Sequence, residues 1–223
     1  MKPYYERDGI TIYNADCRDV LPGVSADLLC TDPPYGIGVA RRDFVGGSKK
    51  ITAFAGRMVP TRDYGHSNWD DKPVDGELLQ LAMSRCPAQI IFGGNYFDLG
   101  PARGYFVWDK GRRKMSFADA EMAWTNLDSV VRVIQWKWNG FIQQAGHPKE
   151  QRFHPTQKPQ GVMSWVLQQV PTAESVLDPF MGVGSTLIAA RDLGRRAIGI
   201  ELEEKYCEIA AQRLEKTALA KAA

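Results

Sequence analysis

The chain has 223 residues, with 28 Lys and Arg against 26 Asp and Glu, a formal net charge of +2, and 44% hydrophobic and 24% charged residues. That length suits a single domain able to bury its own core, and no apolar stretch reaches the roughly 18–20 residues of a membrane span. Four scattered cysteines without a C-x-x-C pair and three dispersed histidines give no sign of a zinc site or a disulfide framework. No metal is therefore expected. The first residues lack the apolar core of a signal peptide, so a cytoplasmic location is expected.

Gly9–Asp16 alternates and ends on an acid, which predicts a short strand, and Cys17–Val24 predicts a helical turn closed by Pro22-Gly23. Ser25–Thr31 is an apolar run that stops at Asp32-Pro33-Pro34-Tyr35. Such a run reads as a buried strand leaving its sheet at the carboxyl end, where open α/β sheets bind ligands. The two prolines remove two donors and leave acceptors beside one ring, a match for a planar substrate presenting an N–H₂ group. Read alone, the same four residues also make an ordinary loop start with an exposed ring.

Gly36–Asp71 shows neither helical nor strand period, and loops this long are usually functional or disordered. It carries Arg41, Arg42, Lys49, Lys50, Arg57 and Arg62 among aromatic rings. Cations for phosphates and rings for bases predict a nucleic-acid contact surface at about residues 36–72; a solvated excursion is the alternative. Glu77–Cys86 predicts an amphipathic helix, Ala88–Phe92 a buried strand, and Tyr105–Trp108 another strand followed by the basic turn Lys110–Lys114. That turn suits a phosphate contact or a solvated hairpin tip. Phe117–Trp124 is ambiguous, and the alternating Val130–Trp138 predicts a late antiparallel strand.

After His154-Pro155-Thr156-Gln157-Lys158-Pro159 comes a predicted helix, Gln160–Val170. The strand Ser175–Asp178 then runs into Pro179-Phe180-Met181-Gly182-Val183-Gly184-Ser185-Thr186. A helix to Leu193, the strand Arg196–Glu201 and the closing helix Glu203–Ala220 follow. Strands alternating with helices give a doubly wound α/β sheet. Gly182 and Gly184 allow close approach of a ligand, the helix start offers N–H groups to an anion, and Glu201 can bind the hydroxyls of a ribose. Leu187 stands where a dinucleotide fingerprint needs its third glycine, and the lysine of a P-loop is missing. A nucleoside with a small anionic tail remains, and S-adenosylmethionine has both parts. Lys158 is a candidate for the carboxylate of that tail.

Together these stretches resemble the amino-methyltransferases that modify DNA, whose motifs are (D/N/S)-P-P-(Y/F/W) and F-x-G-x-G. The order, with Asp32–Tyr35 first, then His154–Pro159, then Asp178–Thr186, resembles the β group. The resemblance implies a circularly permuted S-adenosylmethionine-dependent fold: a mostly parallel seven-stranded sheet with one antiparallel strand. It implies catalysis at Asp32, Pro33, Pro34 and Tyr35. It also implies cofactor contacts at Asp16 and Cys17 (adenine), Glu201 (ribose), and Lys158, Asp178, Phe180, Gly182, Gly184, Ser185 and Thr186. Gly93–Tyr96 and the stretch around Trp124 loosely resemble the lining of the target pocket. Double-stranded DNA is the implied partner, and members of this group often form homodimers. An aspartate as first motif residue favours N6 of adenine over N4 of cytosine; RNA methylation and a silent cofactor-binding subunit are further alternatives. Cys86 precedes Pro87 rather than following a proline, which counts against C5-cytosine chemistry.

Overall fold

The structure, a computed structural model, describes residues 1–38, 52–54, 57–59, 70–111, 118–139 and 142–222. In chain order the elements are β1 (Tyr5–Arg7), β2 (Ile10–Asn14), α1 (Cys17–Val20), β3 (Leu28–Thr31), β4 (Thr52–Phe54), β5 (Arg57–Val59), α2 (Gly76–Ser84) and β6 (Ala88–Phe92). They continue with β7 (Tyr105–Asp109), β8 (Ala120–Thr125), β9 (Arg132–Gln135), β10 (Trp138–Asn139), β11 (Ile142–Gln143), α3 (Gln160–Gln168), β12 (Ser175–Asp178), α4 (Ser185–Asp192), β13 (Arg196–Glu201) and α5 (Glu204–Ala222).

One sheet runs in the order β1-β2-β13-β12-β3-β6-β8-β7-β9. Its seven interior strands are the expected array, in which β2, β13, β12, β3 and β6 pair in parallel and β8 runs antiparallel to both β6 and β7. A border strand on each side brings the sheet to nine rather than seven. On one border β1 folds back on β2 through Asp8 (φ 50°) and Gly9 (φ 76°), a tight turn whose two central residues both have positive φ. On the other, β9 pairs in parallel with β7. The alternating Val130–Trp138 stretch therefore does form a strand, but not the antiparallel one; that role belongs to the ambiguous segment before it. The short connection 126–131 leaves β8 beside the start of β7, so β9 must run in the same direction as β7.

Alternation along the strands sends side chains to two faces. Leu28 and Cys30 join Val162, Val166, Leu187, Ile188 and Ala210 from α3, α4 and α5 in one core. Leu29, Ile91 and Leu177 meet Leu78, Leu79 and Ala82 of α2 and Val20 of α1 in the other. The sheet is thus covered on both sides, and its central strand β3 is buried at every position. From β12 the chain continues to β13 on one side; from β3 it continues to β6 on the other. The adjacent carboxyl ends of β12 and β3 therefore form the switch point at which such sheets open a crevice. The amino-terminal strand is tied to the closing helix: Tyr4 Oη donates to Glu208 Oε2 at 2.9 Å, and Arg7 Nη1 pairs with Glu215 Oε2 at 2.6 Å.

The region expected to lack strands contains the antiparallel pair β4–β5. Three residues per strand are too few for an alternation to register in sequence. Among the described residues no helix is long and apolar enough to cross a membrane.

Candidate active site

Asp178, the last residue of β12, joins the two halves of the crevice. It is buried, and its Oδ1 accepts from Thr31 Oγ1 at 2.7 Å and from the Phe180 N–H at 3.1 Å. Its Oδ2 accepts from Thr186 Oγ1 at 2.6 Å. One carboxylate thus fixes the end of β3, the turn after β12 and the first turn of α4. Burial pushes its pKa up to about 6, against the pull of the three donors.

The glycine turn follows. Gly182 and Gly184 have φ of 51° and 76°, conformations that side chains with a Cβ resist. A Cβ on Gly184 would lie 2.9 Å from the Ala210 side chain, whereas one on Gly182 would meet open space. The Gly182 N–H donates to Glu201 Oε2 at 3.1 Å and the Glu203 N–H to Glu201 Oε1 at 2.8 Å. Burial raises the Glu201 pKa to about 7, with those two N–H groups opposing. Asp16 caps α1 by accepting the Arg18 N–H at 2.9 Å. Asp16, Cys17, Asp32, Pro34, Lys158, Asp178, Phe180, Gly182, Ser185, Thr186 and Glu201 line one cleft of about 310 Å³, together with His154 and Tyr206. That volume is in the range of small-molecule sites. The Ser185 hydroxyl is buried and has no hydrogen-bond partner among the described residues.

At the other end of the cleft the Asp32 carboxylate is held twice. Tyr35 Oη donates to Oδ1, and the Lys158 ammonium pairs with Oδ2. Lys158, only 6% exposed, also lies 3.0 Å from Glu121 Oε2, and Lys110 closes the series at 2.7 Å from Glu121 Oε1. Burial disfavours charge on Lys158, yet Asp32 and Glu121 together hold its pKa above the ordinary lysine value. Burial would raise the Glu121 pKa too, but Lys158 and then Lys110 hold it down at about 2. For Asp32 burial prevails over Lys158, and its pKa is raised. His154 is kept neutral by burial, followed by Arg152, Lys158 and Lys205, which lower its pKa to about 3.

The turn after the prolines is clamped by buried Asp70, whose Oδ1 accepts the N–H groups of Tyr35 at 3.0 Å and Gly36 at 2.9 Å. The Tyr35 ring stacks on Tyr96, with centroids 4.8 Å apart and planes 14° from parallel, and meets Phe97 edge-on. Its close seat depends on Gly93 (φ 67°), where a Cβ would fall 2.2 Å from Tyr35 Cε1.

The cleft therefore collects most of the residues singled out in the sequence. Pro33, Tyr35 and Gly184 do not line it: Tyr35 stands on the far side of Asp32, and Gly184 caps α4 against α5. The Lys158 ammonium faces Asp32 and Glu121 rather than standing alone over the glycine turn. Thr31, Asp70, Glu121 and Lys110 as an inward-facing cation carry no signal in the sequence, and Tyr96, within the stretch that resembles the target-pocket lining, is not marked there as the stacking partner of Tyr35. Arg41, Arg42, Lys49, Lys50, Arg62 and the turn residues Arg112–Lys114 lie outside the described residues. Arg57 begins β5, of which the backbone alone is described.

Comparison with known proteins follows the same lines. A family model described as DNA methylase matches residues 99–212. A Type II methyltransferase, M.HinfI of Haemophilus influenzae, is 42% identical over 92% of this chain and 68% of its own. The chain is a DNA amino-methyltransferase. It belongs to the family that modifies N6 of adenine or N4 of cytosine. A putative methylase of Escherichia coli K12, YubD, is 41% identical over 89% of this chain and 87% of its own. The crystal structure of an M1.HpyAVI–SAM complex shares the fold, with a TM-score of 0.54 and 19% identity over 92% of this chain and 98% of that one. The permuted methyltransferase architecture expected from the motif order is the one observed.

Proposed function

We propose that this amino-methyltransferase transfers a methyl group from S-adenosylmethionine to the exocyclic N6 of an adenine in double-stranded DNA, with S-adenosylhomocysteine as product. The observation that carries the reading is the single cleft lined by both Asp32 and the Gly182–Thr186 turn, tied through Thr31, Asp178 and Thr186. The residues fit the cofactor. Glu201 keeps lone pairs for ribose hydroxyls beyond the two N–H groups it accepts. The buried Ser185 hydroxyl offers a polar partner at the start of α4, and Asp16 with Cys17 closes the adenine end.

When bound, the cofactor supplies an electrophilic methyl on a sulfonium. The chain has to present a nucleophile to it. The N6 lone pair is delocalised into the purine ring, so Asp32 and the Pro33 carbonyl, each accepting one N–H, pull the nitrogen towards a pyramidal geometry with its lone pair directed at the cleft. Tyr35 and the 47% exposed Tyr96 provide the aromatic surface for a base taken out of the duplex. Holding both reactants in one crevice supplies much of the acceleration, and no covalent enzyme intermediate is required. The basic stretch with Arg41, Arg42, Lys49, Lys50, Arg57 and Arg62 supplies phosphate contacts.

The adenine assignment rests on Asp32 as first motif residue. It is tested by incubating the purified chain with labelled S-adenosylmethionine and plasmid DNA, then separating the nucleosides. N6-methyldeoxyadenosine is the expected product; N4-methyldeoxycytidine would overturn the base assignment. In a parallel incubation with RNA, label in the RNA and none in the plasmid would overturn the choice of nucleic acid.

A further inference from the structure

The series Asp32, Lys158, Glu121, Lys110 places two carboxylates on one nearly buried ammonium. A target amine needs an Asp32 oxygen, and both are engaged, one by Tyr35 and one by Lys158. Each oxygen keeps a further lone pair, but the Lys158 charge weakens it as an acceptor, so the grip of Asp32 on the amine strengthens as Lys158 loosens its hold. In a dry site an ammonium moves away from one carboxylate only if another anion receives it. Glu121 Oε2, 3.0 Å from Nζ, is that anion, and it sits on β8 rather than in any motif. Lys110 at 2.7 Å sets how much of the Glu121 charge remains for Lys158.

We infer, building on the methyl-transfer reading, that Glu121 is a positioning residue for the reaction: it draws Lys158 off Asp32 and frees that carboxylate to grip the target amine. Glu121 touches neither substrate nor cofactor in this account; it acts through Lys158. Among the described residues, four elements bring charged or titratable groups to Asp32. Lys158 reaches it from the segment before α3, Glu121 from β8, Asp178 from β12, and Tyr35 and Cys30 from its own strand and turn. Of these, Glu121 both contacts Lys158 and is ion-paired with an outer cation, Lys110, that can be altered at a distance from the reacting atoms.

The test is the pH profile of single-turnover methyl transfer at saturating cofactor and DNA for the full chain, E121Q, E121D and K110Q. Without the Glu121 charge, Lys158 pairs with Asp32 alone. E121Q should therefore move the acid limb to lower pH by about half a unit or more and lower the plateau rate. K110Q removes the competing cation, strengthens the pull of Glu121 on Lys158, and should move the limb to higher pH. E121D should restore much of the wild-type profile, and calorimetric cofactor affinity should stay within about threefold in every variant, a spread well under 1 kcal/mol. Partial unfolding cannot shift two limbs in opposite directions. Coincident limbs, or shifts of one sign in E121Q and K110Q, would overturn the inference while wild-type transfer stands. A wild-type chain unable to methylate DNA would instead overturn the reading on which it rests.

Discussion

Replacing Thr31 by Val removes one hydroxyl and keeps the shape of the side chain. The lost bond is the 2.7 Å donation to Asp178 Oδ1, between two fully enclosed residues. A hydrogen bond to an ionised acceptor contributes about 1.5–3 kcal/mol; the methyl that replaces the hydroxyl returns up to ~0.8 kcal/mol by burial. A net loss of about 1–2 kcal/mol follows, or roughly 2–8 °C in Tm for a domain of this size. The loss depends on pH, because Asp178 titrates near 6 in the folded chain, above the ordinary 3.8. A carboxyl whose folded pKa is raised favours folding below its unfolded pKa and loses that contribution as pH rises to the folded value. Taking away a donor that stabilises the anion deepens this loss, so Thr31→Val should cost more at pH 7.5 than at pH 4.5. Urea denaturation followed by circular dichroism at the two pH values measures it. The same variant should weaken cofactor binding several-fold, because Asp178 also anchors the turn before Gly182. A change below about 0.5 kcal/mol at pH 7.5 with unaltered cofactor affinity would refute the role given to this carboxylate.

Asp32→Ala should abolish methyl transfer, by about a thousandfold or more as for loss of a group that positions the nucleophile, while calorimetry finds cofactor affinity nearly unchanged; equal loss of both would contradict the assignment. Cofactor affinity should rise with pH up to about 7 and then level off, because ribose hydroxyls favour the ionised form of Glu201, whose pKa is about 7 before binding. Calorimetry in buffers of different ionisation enthalpy should detect a proton released on binding below that pH. Gly93→Ala places a Cβ 2.2 Å from Tyr35 Cε1 at a φ of 67°, so transfer should fall at least tenfold with cofactor binding retained. Arg41→Ala combined with Arg42→Ala should make the salt dependence of DNA binding shallower by about two in logarithmic slope; an unchanged slope would move the DNA elsewhere on the chain.

The two ends of the cleft were legible because each combines a strand end with local punctuation. Leu28–Thr31 stops at two prolines, and Ser175–Asp178 runs into a glycine turn that only a backbone with positive φ can follow. What lay outside sequence reasoning was of two kinds. The first is polarity on short strands: Tyr5-Glu6-Arg7 forms β1 only because Asp8-Gly9 turns it back onto β2, and β8 hides a carboxylate within Ala-Glu-Met-Ala-Trp-Thr. A glutamate in such a run reads as solvent-facing, and only the approach of Lys158 and Lys110 makes its burial tolerable. The second is direction and partnership. Alternation announces the strand at Arg132–Gln135 but not that it runs parallel to β7. Nothing local marks Asp70 as the clamp for the turn at Tyr35, or Tyr96 as the ring that stacks on it.

The most direct measurement is a crystal structure of the chain with S-adenosylhomocysteine. The account places the adenosyl group between Asp16, Cys17 and Glu201, the amino-acid tail at Ser185, and the sulfur directed towards Asp32. A ligand seated instead in the wider groove at the opposite ends of the strands, bordered by Arg7, Asp27, Arg85 and Arg196, would contradict it.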